Sequence, residues 1–215
     1  MKKTFIISTA GGRKEGYINL INSLKDYAAN GWGIITNFQK YSDEDFEEAQ
    51  IKLKEIFGNN FISERSEELT GCHLARIPLL EKYQSDLWVL IDDDMEIVPS
   101  FTNYEKIGDI LMKHEEIGLM VGKSQYDGGQ FKLPIIRDKI YYKPVVFTKG
   151  GMCFRDDIAQ IIKTIPKLKY KFDNPVWSTY VYINGYRNCE YEGSWAIHKM
   201  GSNGGGNRWR KEQSD

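Results

Sequence analysis

Residues 87–99 read LWVLIDDDMEIVP: five apolar residues run without interruption into Asp92, Asp93 and Asp94, and the apolar pair Ile97-Val98 and Pro99 follow. A continuous apolar run of this length belongs to a strand covered on both faces of a sheet. Ligands of open α/β sheets bind outside the carboxyl ends of such strands. Adjacent carboxylates repel one another, so a triplet placed there calls for a cation to keep it ionised. Oxygen donors of this kind suit Mg²⁺ or Mn²⁺. An acidic turn capping the next helix is the plain structural alternative.

Working outward, strands and helices alternate. Thr4 to Ser8 reads as a buried strand, followed by a loop from Thr9 to Lys14. Ile18, Ile21, Leu24 and Tyr27-Ala28 form the apolar face of a helix ended by Asn30-Gly31. Residues 32–36 (WGIIT) form a second strand, with Asn37 just past its end. Ser42 with Asp45 opens a charged helix that runs to Phe57 and stops at Gly58. Phe61-Ile62 is a short third strand, and a helix over 70–83 leads into the triplet strand. Helices are expected near 101–115, 155–163 and 174–184, and strands near 117–121 and 140–148. The alternation predicts a three-layer α/β/α fold on a mostly parallel sheet, in a single domain.

The bulk properties agree with a globular chain. It has 215 residues, 41% hydrophobic and 27% charged, with a net charge of −1. The charge is polarised. Residues 43–68 hold nine acidic residues against three basic, and residues 132–171 hold ten basic against three acidic. Lysines interleaved with aromatics in the latter stretch fit a phosphate-rich acceptor, including nucleic acid with a flipped base, as well as a solvated surface. Cys72, Cys153 and Cys189 form no C-x-x-C pair, which fits a reducing, cytoplasmic setting. No signal peptide and no transmembrane segment is expected.

On these residues the chain resembles the family 2 glycosyltransferases, GT-A fold enzymes that use nucleotide sugars. Asp92-Asp93-Asp94 is similar to their D-x-D motif. Ile7-Ser8-Thr9 with Arg13 resembles their first strand and nucleotide loop, Asn37 ends the second strand, and Gly71 to Arg76 resembles their "G…AR" segment. Gly150-Gly151 resembles the small-residue strand beside the acceptor pocket. Asp173-Asn174, then Gly185 twelve residues after Asp173, then His198 follow in the family's order.

The resemblance implies the following roles. Asp92, Asp94 and His198 hold Mn²⁺ or Mg²⁺ on the donor diphosphate. Thr9, Arg13, Asn37, Arg76, Asp92, Asp93, Arg208 and Arg210 contact a nucleoside diphosphate sugar, with uridine diphosphate sugars expected. Gly150, Gly151, Asp173, Asn174 and Trp177 face the acceptor, a glycan or a hydroxylated base in DNA. Residues 1–98 form the donor half, 99–200 the acceptor half, and 201–215 a flexible Gly-rich tail or lid. The family places its general base in an acidic pair whose second position is Asn174 here. An amide accepts no proton at neutral pH, so the base falls to Asp173, or the reaction is retaining. His73 and His114 read as surface or helix residues. Two rival readings remain. One is a nucleotide-sugar-binding module without catalysis, favoured by Asn174. The other is a haloacid dehalogenase-like phosphatase, against which Met95 stands where that signature needs Thr or Val.

Overall fold

The computed structural model describes residues 1–126, 134–147, 150–166 and 173–199, with only the backbone of Tyr126, Asp173 and Asn174. The first half alternates as its sequence pattern requires. Strand β1 (Lys3–Ala10) leads through a glycine turn into helices α1 (Lys14–Ser23) and α2 (Lys25–Ala29). Strand β2 (Gly33–Gln39), helix α3 (Asp43–Phe57), strand β3 (Phe61–Ser66), helix α4 (Cys72–Lys82) and strand β4 (Leu87–Leu90) follow. Ser42 caps α3 by accepting from the Asp45 amide at 3.1 Å, and Gly58 ends it at φ 58°.

The single helix expected to carry Ile18, Ile21, Leu24 and Tyr27-Ala28 is broken at Leu24. The Ser23 hydroxyl donates to the Leu20 carbonyl at 2.6 Å and accepts from the Ile97 amide at 3.0 Å. A side chain that bonds its own helix backbone and a neighbouring loop competes with helix continuation. Asn37 lies within β2, opposite Ser8 and Glu64, and not beyond the strand's end.

The second half is strand β5 (Met95–Glu96), helix α5 (Tyr104–Lys113) and strands β6 (Ile117–Tyr126), β7 (Ile140–Lys143) and β8 (Met152–Arg155). Helices α6 (Asp156–Lys163) and α7 (Asp173–Ile183) precede the last strand, β9 (Arg187–His198). Among the described residues the strands form one nine-stranded sheet in the order β3-β2-β1-β4-β8-β6-β9-β5, with β7 also paired to β9. β3, β2, β1 and β4 are mutually parallel, and β8 is antiparallel to both β4 and β6. Two reversals restore the direction, so β6 and the parallel β9 end at the same edge as β1 and β4.

Apolar side chains leave the central strands to both faces. Phe5, Ile7, Leu87 and Val89 pack with α1, α2, α3 and α5, whereas Ile6, Trp88 and Leu90 pack with α4, α6 and α7. This is the three-layer α/β/α arrangement expected from uninterrupted apolar strands. No helix among the described residues is long and apolar enough to cross a membrane.

Candidate donor and metal site

The common carboxyl edge of β1, β2, β4, β6 and β9 brings Thr9, Arg13, Asn37, the aspartate triplet, Gly150, Gly151 and His198 together. After β1 the chain turns through Gly11 and Gly12. A Cβ on Gly11 would lie 2.1 Å from the Lys40 carbonyl oxygen, and Gly12 adopts φ +83°, so glycine is needed at both. This turn delivers Arg13 to the triplet. One guanidinium nitrogen lies 2.9 Å from Asp93 Oδ1 and 2.8 Å from Asp94 Oδ2.

The three aspartates, adjacent in sequence, have different surroundings. Asp93 is 2% exposed, and burial pushes its carboxyl up to about 6, against the opposing pull of the Arg13 guanidinium. Asp92 Oδ1 accepts from Arg76 of α4 at 2.8 Å. Asp94 Oδ1 lies 3.3 Å from His198 Nε2. His198 arrives by strand pairing: it stands opposite Met95 in the antiparallel β5·β9 pair, and the Lys199 amide donates to the Asp94 carbonyl at 2.8 Å. The ligand atoms of Asp92, Asp94 and His198 lie within 4.8 Å of one another. Two carboxylates and an imidazole at that spacing fit a divalent cation, with room for water or phosphate oxygens.

Thr9 and Asn37 flank this group. Thr9 is buried, its hydroxyl 2.9 Å from the Tyr41 hydroxyl. Asn37 is half-buried, and its Oδ1 has no hydrogen-bond partner among the described residues.

Several expectations need correction. Arg76 does not face the cleft: it is 1% exposed and binds Asp92 and the Ile91 carbonyl, so it holds the triplet from beneath. Trp177 does not face an acceptor. It is fully buried, and its indole N–H donates to His73 Nδ1 at 2.8 Å. His73, read as a surface or helix residue, lies in α4 and is 3% exposed, packed against the same indole. Gly150 and Gly151 do lie at the ligand edge, just before β8, but the space beside them is filled. A Cβ on Gly150 would lie 2.1 Å from the Lys123 carbonyl oxygen, and on Gly151, at φ +87°, 2.5 Å from the Tyr104 hydroxyl. The pair lets backbones meet, and a side chain at either position would collide with Lys123 or Tyr104. Asp173 and Asn174 open α7, and their side chains lie outside the described residues, as do Arg208, Arg210 and the whole of 201–215.

Sequence reasoning passed over Lys123, Glu192 and Trp195 and took Tyr141 only as one aromatic of the basic stretch; the four form one contact group beside this edge. Their nearness depends on a bulge in β9 and carries no local signature.

No protein-family model and no curated protein matches the sequence. Solved structures match in fold. The structure of residues 1–349 of S. aureus TarS superposes with a TM-score of 0.66 at 17% identity, over 93% of this chain and 60% of that one. The same protein in complex with UDP-GlcNAc gives 0.66 and 17%, over 94% of this chain and 59% of that one. GalNAc-T7 with UDP, GalNAc and Mn²⁺ gives 0.73 at 12% identity, over 93% of this chain and 44% of that one. This chain therefore spans 60% or less of each of these structures. It carries the GT-A, Rossmann-like α/β fold.

Proposed function

We propose that this chain is a metal-dependent glycosyltransferase that moves a sugar from a nucleoside diphosphate sugar, a uridine diphosphate sugar first, to an acceptor hydroxyl. The observation that carries the reading is the group of Asp92, Asp94 and His198 at the carboxyl edge of the sheet, within 4.8 Å of one another. The fold of proteins solved with UDP, UDP-GlcNAc, and UDP with Mn²⁺ supports it.

Asp92, Asp94 and His198 would hold Mn²⁺ or Mg²⁺, which would supply positive charge to a leaving diphosphate. Arg13, which lies 2.8 Å from Asp94, pairs with the diphosphate. Asn37 offers its Oδ1 acceptor to the nucleoside. Asp93 stays buried and fixes Arg13 from below. Asp173 takes the proton of the attacking hydroxyl. Helix α7, which Asp173 opens, ends beside the start of β6, where a Cβ on Gly118 would lie 2.3 Å from Val181, and this supports a base at its opposite end. Residues 1–98 supply the donor half and 99–200 the acceptor half.

The test is a thermal-shift screen of uridine diphosphate sugars with and without Mn²⁺. A ligand at a hundred times its Kd adds about 2.7 kcal/mol of stability, which for a chain of this size raises Tm by about 5–10 °C. Asp94→Ala is expected to keep the fold and lose the Mn²⁺-dependent shift, and Asp92→Ala and His198→Ala to reduce it. An unchanged shift in Asp94→Ala would refute the assignment.

A further inference from the structure

On the α7 face of the sheet, one step from the carboxyl edge, β6 and β9 lose register. Gly122 stands opposite Tyr191, but the next residue, Lys123, stands opposite Trp195. Glu192, Gly193 and Ser194 form the bulge between. Bulges of this sort re-aim side chains and recur beside functional sites. This one is held from both sides. The Trp195 amide donates to the Phe101 carbonyl at 2.8 Å, the Asn103 amide donates to Ser194 Oγ at 2.9 Å, and a Cβ on Gly193 would lie 2.2 Å from the Tyr191 ring.

The bulge assembles four side chains from three strands. Lys123 Nζ donates to Glu192 Oε1 at 2.6 Å, and the Tyr141 hydroxyl donates to Glu192 Oε2 at 3.0 Å. The same ammonium lies 5.5 Å from the centroid of the Tyr141 ring and 5.3 Å from that of Trp195. The Trp195 N–H is spent on the Glu192 carbonyl at 2.9 Å, so the indole presents carbon faces only. Tyr141 remains 39% exposed.

Three properties define what such a site takes. Lys123 and Glu192 cancel in charge, so that pair by itself favours neither an anion nor a cation. A lysine ammonium has three donors and a carboxylate about four acceptor positions, so both keep capacity beyond their mutual bond. The aromatic rings supply flat apolar surface at low entropic cost. An apolar face edged by donors and acceptors matches a pyranose ring, which shows C–H groups on a face and hydroxyls around its rim. The cluster lies on the α7 side of the sheet, since Lys123 continues the face of Leu119 and Val121, which pack in the core with Trp177 and Val181 of α7. The expected base, Asp173, is the first residue of that helix. We propose that Lys123, Tyr141, Glu192 and Trp195 form a subsite for a neutral sugar residue of the acceptor. This rests on the glycosyl-transfer reading and names its acceptor class.

The test uses the full chain labelled with ¹⁵N, in chelator and without donor. The Trp195 indole resonance is assigned through Trp195→Phe and followed during titration with methyl glycosides of glucose, galactose, N-acetylglucosamine and N-acetylgalactosamine. At least one is expected to shift it saturably, and Tyr141→Ala and Glu192→Gln are expected to weaken that binding at least about tenfold, the usual effect of losing a ring contact and a charged hydrogen bond. Tyr141→Ala, at an exposed edge position, decides the matter if Glu192→Gln does not fold. No shift with any of the four glycosides overturns the proposal, as does undiminished binding in a folded Tyr141→Ala protein. A shift produced by a duplex oligonucleotide and by none of the glycosides also overturns it, in favour of a nucleic-acid acceptor. UDP binding with Mn²⁺ is measured separately on the unmodified protein. Its failure strikes the transferase reading and leaves the Trp195 readout standing.

Discussion

Asp92, Asp93 and Asp94 share one side chain and one stretch of chain, and the fold gives each a different occupation. Asp92 is held by Arg76, Asp94 turns to His198, and Asp93 is enclosed against Arg13. The enclosed carboxyl makes a pH prediction. Its value in the fold, about 6, exceeds the ordinary 3.8, so the native state binds more protons than the unfolded chain between these limits. Stability from this group is therefore fully present below about pH 4 and is lost as pH rises through about 6. Urea unfolding in chelator at pH 4.5 and 7.5 is expected to show that fall in the unmodified protein and a smaller one in Asp93→Asn. An equal fall in both would remove Asp93 as its source. The triplet itself was readable from sequence, since an apolar strand running into carboxylates admits few readings. Which aspartate is buried was not readable, because that depends on Arg13, some eighty positions earlier. Arg76 misled for a related reason. A helical arginine close to an acidic motif points to the ligand or to the motif, and only burial separates the two.

Elements with local punctuation were legible. Ser42 with Asp45 and Gly58 fix both ends of α3, and the apolar runs fix β1 and β4. Elements defined by distant partners were not. β5 has two residues and exists because β9 pairs with it, and α1 stops because Ser23 serves a loop from the far side of β4. The junction of β8 and α6 shows how much one such residue carries. Arg155 is nearly buried, and its guanidinium donates to the carbonyls of Leu111 at 2.9 Å, Ile117 at 2.8 Å and Glu115 at 3.1 Å while pairing with Asp157. It thus closes the end of α5 and ties it to β6. Arg155→Leu leaves several enclosed carbonyls without a donor and is expected to cost about 3–5 kcal/mol. Ser42→Ala removes one exposed cap and is expected to cost about 1 kcal/mol. Urea unfolding of the two variants checks the order, and equal losses would show that Arg155 does not bind the junction together.

For the molecule as a whole, the α/β alternation was evident in the first ninety residues, and the return of β6 and β9 to the common direction was not. That return depends on β8 entering antiparallel between β4 and β6, a choice made by packing. The charge polarity was legible too, but not its disposition. Within the basic stretch, Lys143 pairs with Glu190 at 3.0 Å and Arg155 is spent internally, so its net charge overstates what it offers a polyanion. The strand order also governs how the chain reaches this state. β9 joins β6, β7 and β5 across long loops, and its last residue stands opposite Met95, roughly a hundred residues upstream. Pairings of such sequence separation close large loops before they are rewarded, so refolding is expected on the millisecond-to-second scale of non-local topologies. Stopped-flow fluorescence checks this, and a microsecond phase carrying the whole amplitude would contradict it. On the ribosome, at about 5–20 residues per second, the aspartates emerge about 5–20 s before the histidine that joins them. Until then β6 lacks its parallel neighbour, and the nascent chain passes through that interval with an open strand edge for chaperones to shield.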